Sequence, residues 1–99
     1  MTPPGPKQPN LLFKLGRIMA TPRAIEALAV AGQMPDAFLL RHQTGDWGEL
    51  SQDDKAANDL AVTVGARILS AYLTILGERL WIITEADRSL TTILLPGEY

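Results

Sequence analysis

Cysteine is absent from these 99 residues, which removes disulfides, thiolate metal ligands and cysteine nucleophiles together. The same absence fits a reducing compartment, so a cytoplasmic protein is expected. With one histidine, His42, no multi-histidine metal site can form within a chain, and carboxylates alone favour only a hard ion. Neither a metal nor a cofactor is expected. The opening MTPPGPKQPN lacks the apolar centre of a secretion signal, and no apolar run reaches the about 20 residues that span a bilayer, so no membrane role is expected. Strong charge is lacking too. A formal net charge of -2 gives no general attraction to a polyanion, which argues against non-specific nucleic-acid binding. No phosphate-binding glycine pattern, nucleophile elbow or paired zinc motif is present.

What remains is ordinary globular composition: 46% hydrophobic and 20% charged residues in 99, the size of one domain. Four of the seven prolines fall in the first ten residues, where they resist helix and remove backbone donors. This predicts a flexible proline-rich lead over 1–10 and one domain over 11–99. Leu11 to Ala20, apolar but interrupted by Lys14 and Arg17, suits a first strand that Gly16 can bend.

Thr21-Pro22 is a helix-start signal: threonine caps a free amide, and proline tolerates the first helical position. Ile25, Leu28 and Ala29 share a face of that helix, and Gly32 suits its left-handed end. A second helix begins near Pro35-Asp36, presents Phe38 and Leu39, and is stopped by Gly45. Gly45-Asp46-Trp47-Gly48 is a turn anchored by Trp47. Ser51 with Asp54 approximates a capping box and predicts a third helix from Gln52 to about Leu60.

After Gly65 the pattern changes. Arg67–Thr74, Arg79–Glu85 and Ser89–Leu95 form a three-stranded meander, with Leu80-Trp81-Ile82-Ile83 apolar on both faces and therefore central. The predicted class is α+β: an antiparallel sheet of about four strands covered by two or three short helices. If the helices take one face, Trp81 is left on the other. Either self-association or the first strand and its loops must then cover it.

The chemistry-bearing residues are few. His42 and Asp46, with Arg88, could converge as a general acid or base and a phosphate clamp, the equipment of a small nuclease or toxin. The plainer assignment is that His42 meets free carbonyls at a helix end while Asp46 closes a turn. Glu85, Asp87 and Arg88 crowd one hairpin and, with Trp47 and Trp81, are the candidate binding residues; solvated turn charges are the simpler account of the hairpin.

Leu15-Gly16-Arg17-Ile18-Met19-Ala20-Thr21-Pro22, Arg41-His42 with Gly45-Asp46-Trp47-Gly48, and Leu80 to Ser89 resemble a group of small proteins encoded on bacterial plasmids and integrative elements. Ser70-Ala71-Tyr72, Leu94-Leu95-Pro96 and Glu98-Tyr99 extend the likeness over nearly everything after the lead. The resemblance implies a bacterial host and a mobile element, with no activity established for the group. The expectation is an accessory protein that works by binding another protein or itself, in host defence or element maintenance. A small catalyst using His42, Asp46 and Arg88 is the competing class.

Overall fold

The computed structural model describes residues 10–99, so all of the expected flexible lead except Asn10 lies outside the described residues. The elements run β1 (Arg17–Ala20), α1 (Pro22–Ala31), α2 (Pro35–Gln43), α3 (Gln52–Val64), β2 (Ile68–Leu73), β3 (Arg79–Thr84), β4 (Leu90–Leu94) and a closing 3₁₀ turn, Pro96–Glu98. The helix signals work as their chemistry requires. Thr21 Oγ accepts the amide of Ala24, Ser51 Oγ accepts that of Asp54, and Gly32 and Gly65 end α1 and α3 in the left-handed conformation.

The sheet is four-stranded in the order β1-β4-β3-β2. Its class is α+β as expected, but it is mixed rather than wholly antiparallel, because β1 runs parallel to β4. The meander β2-β3-β4 is antiparallel. A parallel pair needs a long crossover, and here everything from α1 to β3 supplies it. The first strand is also shorter than Leu11 to Ala20. Gly16 turns at φ 66, and residues 11–16 instead form an irregular strap: the Leu12 amide donates to the Gln43 carbonyl and the Gln43 amide group to that of Phe13.

Side chains alternate across the sheet. One face carries Tyr72, Leu80, Ile82 and Ile93, which pack with Ala24 and Leu28 of α1 and Phe38 and Leu39 of α2. The buried face of α1 is therefore Ala24, Leu28 and Ala31, not the expected Ile25, Leu28 and Ala29; Ile25 is 57% exposed. A second cluster joins Trp47, Ala61 and Ile68, with Phe13, Leu50 and Val62 against it, and so holds α3 beside β2. Along β3 the side chains of Trp81 and Ile83 fall on the sheet face opposite Leu80 and Ile82. Trp81 stays half-buried there, with the Tyr99 ring edge-on at 5.8 Å.

Candidate functional site

His42 lies at the end of α2 and is fully buried, deep in the helix-covered face of the sheet. Its Nδ1 is 2.5 Å from Ser70 Oγ on β2, and its Nε2 is 2.8 Å from Thr84 Oγ1 on β3. Thr84 Oγ1 is 2.7 Å from Thr91 Oγ1 on β4, and the Thr91 hydroxyl reaches the Leu15 carbonyl at 2.7 Å. The directions of these bonds follow from their far end. A carbonyl only accepts, so Thr91 donates to Leu15 and must accept from Thr84; Thr84, its one proton spent, must accept from Nε2–H. That leaves Nδ1 to accept the Ser70 hydroxyl. A neutral imidazole, with its proton on Nε2, satisfies all of these bonds, and no buried side-chain polar atom among the described residues lacks a partner.

Burial first, and the positive Arg88 second, push the His42 pKa down from 6.5 to about 4. Phe13 closes the pocket edge-on to the imidazole at 5.1 Å, and Trp47 stands at 6.1 Å. No face of this ring is open to solvent.

The two other residues considered for catalysis point elsewhere. Asp46 is exposed and accepts Arg41 Nε at 2.6 Å, which holds its carboxyl below the usual range; it also receives the Gly48 amide. Arg88, at φ 61 in the β3-β4 turn, donates to the carbonyls of Ala61, Ala66 and Glu85. Its guanidinium thereby sits at the carbonyl end of α3, where a cation is favoured and where the Ala61 carbonyl also accepts the Gly65 and Ala66 amides, and lies 5.5 Å from the centre of the Phe13 ring. Arg88 and His42 both meet Phe13, whereas Asp46 lies exposed with its carboxylate on Arg41 and Gly48.

The binding candidates also separate. Trp47 is buried, its indole N–H donating to Asp59 at 2.9 Å, so it anchors its loop to α3. Asp87 is exposed and accepts both the amide and the hydroxyl of Ser89, which hold its carboxyl below its ordinary value. The Glu85 amide and carbonyl serve the same turn, bonding to Leu90 and Arg88. Trp81 alone borders a substantial concavity, about 420 Å³, with Leu50, Leu69 and Ala71 as apolar lining and Glu49, Asp54 and Arg79 as its charged groups.

Several residues that organise these regions escaped the sequence reading. Ser70, Thr84 and Thr91 are polar positions inside otherwise apolar strands, and that interruption was their signal. Asn58 pairs its side-chain amide with both the carbonyl and the amide of Leu69, at 2.7 and 3.3 Å. Nothing in a helical asparagine announces that it will complete a strand edge.

Among the described residues, no group of three or more His, Cys, Asp or Glu is placed to hold a metal ion, and no helix is long and apolar enough to cross a membrane. Comparison with known proteins finds no matching family model, curated protein or solved structure. What the geometry defines is an α+β domain with a mixed four-stranded sheet, a sealed polar network under its helices, and a tryptophan-lined groove on its other face.

Proposed function

We propose that this domain is a non-enzymatic protein-interaction module, an accessory of a bacterial mobile element in the setting that the sequence resemblance implies. The observation that carries this reading is the groove beside Trp81. A half-buried indole next to Leu50, Leu69 and Ala71 is the kind of aromatic anchor on which interfaces concentrate their affinity. Glu49 and Asp54 against the single Arg79 make the groove's charged groups acidic on balance, so the occupant is a protein segment that sets a lysine or arginine among apolar side chains. Sealing of His42 between Ser70 and Thr84 supports the same reading over a catalyst.

The test places a photo-crosslinking residue at Glu49 and, for comparison, at exposed Leu60 on α3, then rebuilds the captured complex from purified components. A partner taken from Glu49 and not Leu60, whose affinity falls about tenfold on Glu49→Lys with Asp54→Lys, is the expected result. A partner indifferent to both charge reversals, or cleavage of RNA or DNA by the purified protein, overturns the reading.

A further inference from the structure

The outer edges of the sheet are treated differently. Along β2, the Leu69 backbone is taken by Asn58, while Ala71 donates to the Trp47 carbonyl and accepts the Glu49 amide. Along β1, the Arg17 and Thr21 amides point inward to the Ser89 and Ile93 carbonyls of the β4 side. Strand alternation then turns the amides and carbonyls of Ile18 and Ala20 outward, where no strand among the described residues meets them. Ile18 and Met19 are 50% and 48% exposed. An open edge with apolar side chains is a template for another strand.

We propose that this edge pairs with a second copy of the chain: two β1 strands run antiparallel about a two-fold axis at Met19, and Arg17 of each copy meets Glu98 of the other. Three features select that register. Ile18 of one copy faces Ala20 of the other, so both outward amides and both outward carbonyls are used. Moving the axis to Ala20 sets Ile18 against Pro22, which has no amide proton to give. Moving it to Ile18 draws Arg17 away from Thr21, whose hydroxyl donates to the Glu98 carboxylate at 2.7 Å.

The Met19-centred register brings Arg17 opposite Thr21 and so beside that exposed carboxylate, a reciprocal charge match at both ends of the ladder. Ile18 then lies on Ala20 of the second copy and beside its Ile25, which borders the same apolar hollow as Ala20. This accounts for Ile25 being turned out of the core.

The paired sheet has eight strands, with the helices of both copies on one side and both Trp81 faces on the other. At about 4.8 Å per strand the two indoles sit about 24 Å apart across the sheet. Pairing at β1 leaves each groove open, so it stands whether or not Trp81 contacts a partner.

Because the chain has no cysteine, Met19→Cys introduces a single thiol. In this register it opposes its own copy in a non-hydrogen-bonded pair with Cα atoms about 4.5 Å apart, within the roughly 4.4–6.8 Å that a disulfide spans. Under mild oxidation Met19→Cys should crosslink at least about tenfold faster than Leu60→Cys, because pairing raises the local thiol concentration. Sedimentation should show the unmodified chain dimerising with concentration. Ile18→Pro removes only an outward donor and should leave a folded monomer; Ile18→Lys should do the same without altering the backbone. An unmodified chain that stays monomeric, or Met19→Cys crosslinking no faster than Leu60→Cys, overturns the pairing. Faster crosslinking of Ile18→Cys than of Met19→Cys overturns the register.

Discussion

The β2 edge and the β1 edge belong to one sheet, yet the chain finishes one and leaves the other open. At β2, two short-range devices close the ladder: a helical asparagine borrowed from α3, and a loop whose glycine comes close enough to bridge a strand. Gly48 bridges Ala71 at φ 78, and a Cβ there would lie 1.9 Å from the Ala71 carbonyl oxygen. At β1 the close approach is on the inner side: a Cβ on Gly16 would meet Ser89 backbone atoms at 2.4 Å, while no strand among the described residues pairs with the outer side. The difference teaches that edge protection here is built from side chains and loops of α3 and its approach, which reach only one end of the sheet. Between the edges runs the polar chain from Ser70 through His42, Thr84 and Thr91 to Leu15, which links every strand of the meander to the segment before β1.

The sharpest break in that comparison is Gly48→Ala. It adds a backbone clash to a left-handed conformation that favours glycine, and should cost about 4 kcal/mol. Urea unfolding measures it, and a loss under about 1 kcal/mol would mean the loop does not seal the β2 edge. Gly16→Ala meets backbone as well and should cost about 3 kcal/mol, with the loss felt at β1. Amide exchange should then rise at Met19 and Thr21 before it rises at Leu69.

The polar chain can be tested through pH. Well above pH 6.5 the imidazole is neutral in both the native and the unfolded chain. Between 6.5 and about 4 the unfolded chain takes up a proton that the buried ring refuses, so stability falls as pH falls through that window. The full difference is about 3 kcal/mol. His42→Gln should lose stability at pH 7 but show a flatter slope from pH 6.5 to 4. Equal slopes for the two proteins would remove the buried neutral histidine from the account. Nitrogen NMR at pH 7 should also find the proton on Nε2.

These regions were unequally legible in the sequence. Caps are local, so Thr21-Pro22, Gly32 and Ser51 marked helix ends correctly within a few neighbours. The meander was legible because its strands are consecutive and its apolar runs are punctuated by turns. The parallel placement of β1 was not, because it depends on a partner more than 70 positions away, and no local pattern records a strand's direction. The face of α1 was misread for a related reason. Ile25 fits a helical stripe by spacing, but the small Ala24 is what fits against the sheet, and the isoleucine is left at the open edge. His42 and Arg88 were visible as chemistry-bearing residues. Their surroundings were not, since Ser70, Thr84 and the end of α3 reach them only after folding.

Asn58→Ala sharpens the comparison of edges at smaller cost. It withdraws one donor and one acceptor from Leu69 and should lower stability by about 1–2 kcal/mol. It also makes the β2 edge resemble β1, so concentration-dependent association beyond a dimer is expected in sedimentation. Unchanged association would mean the Trp47–Glu49 loop protects that edge alone.

The smallest effect belongs to the Arg41–Asp46 pair, which sits at the turn leading into the sealed edge. Both side chains are about half exposed, at 43% and 53%, so solvent screens the attraction and Arg41→Gln should cost no more than about 0.5 kcal/mol. The turn itself does not depend on the ion pair: the Asp46 amide donates to the Arg41 carbonyl, and the Asp46 carbonyl accepts the Tyr72 hydroxyl at 2.7 Å. A loss above about 1.5 kcal/mol in Arg41→Gln would show that the guanidinium, 4.5 Å from the centre of the Tyr72 ring, holds that ring over the loop. The sealing of β2 would then rest on a surface cation as well as on Asn58 and Gly48.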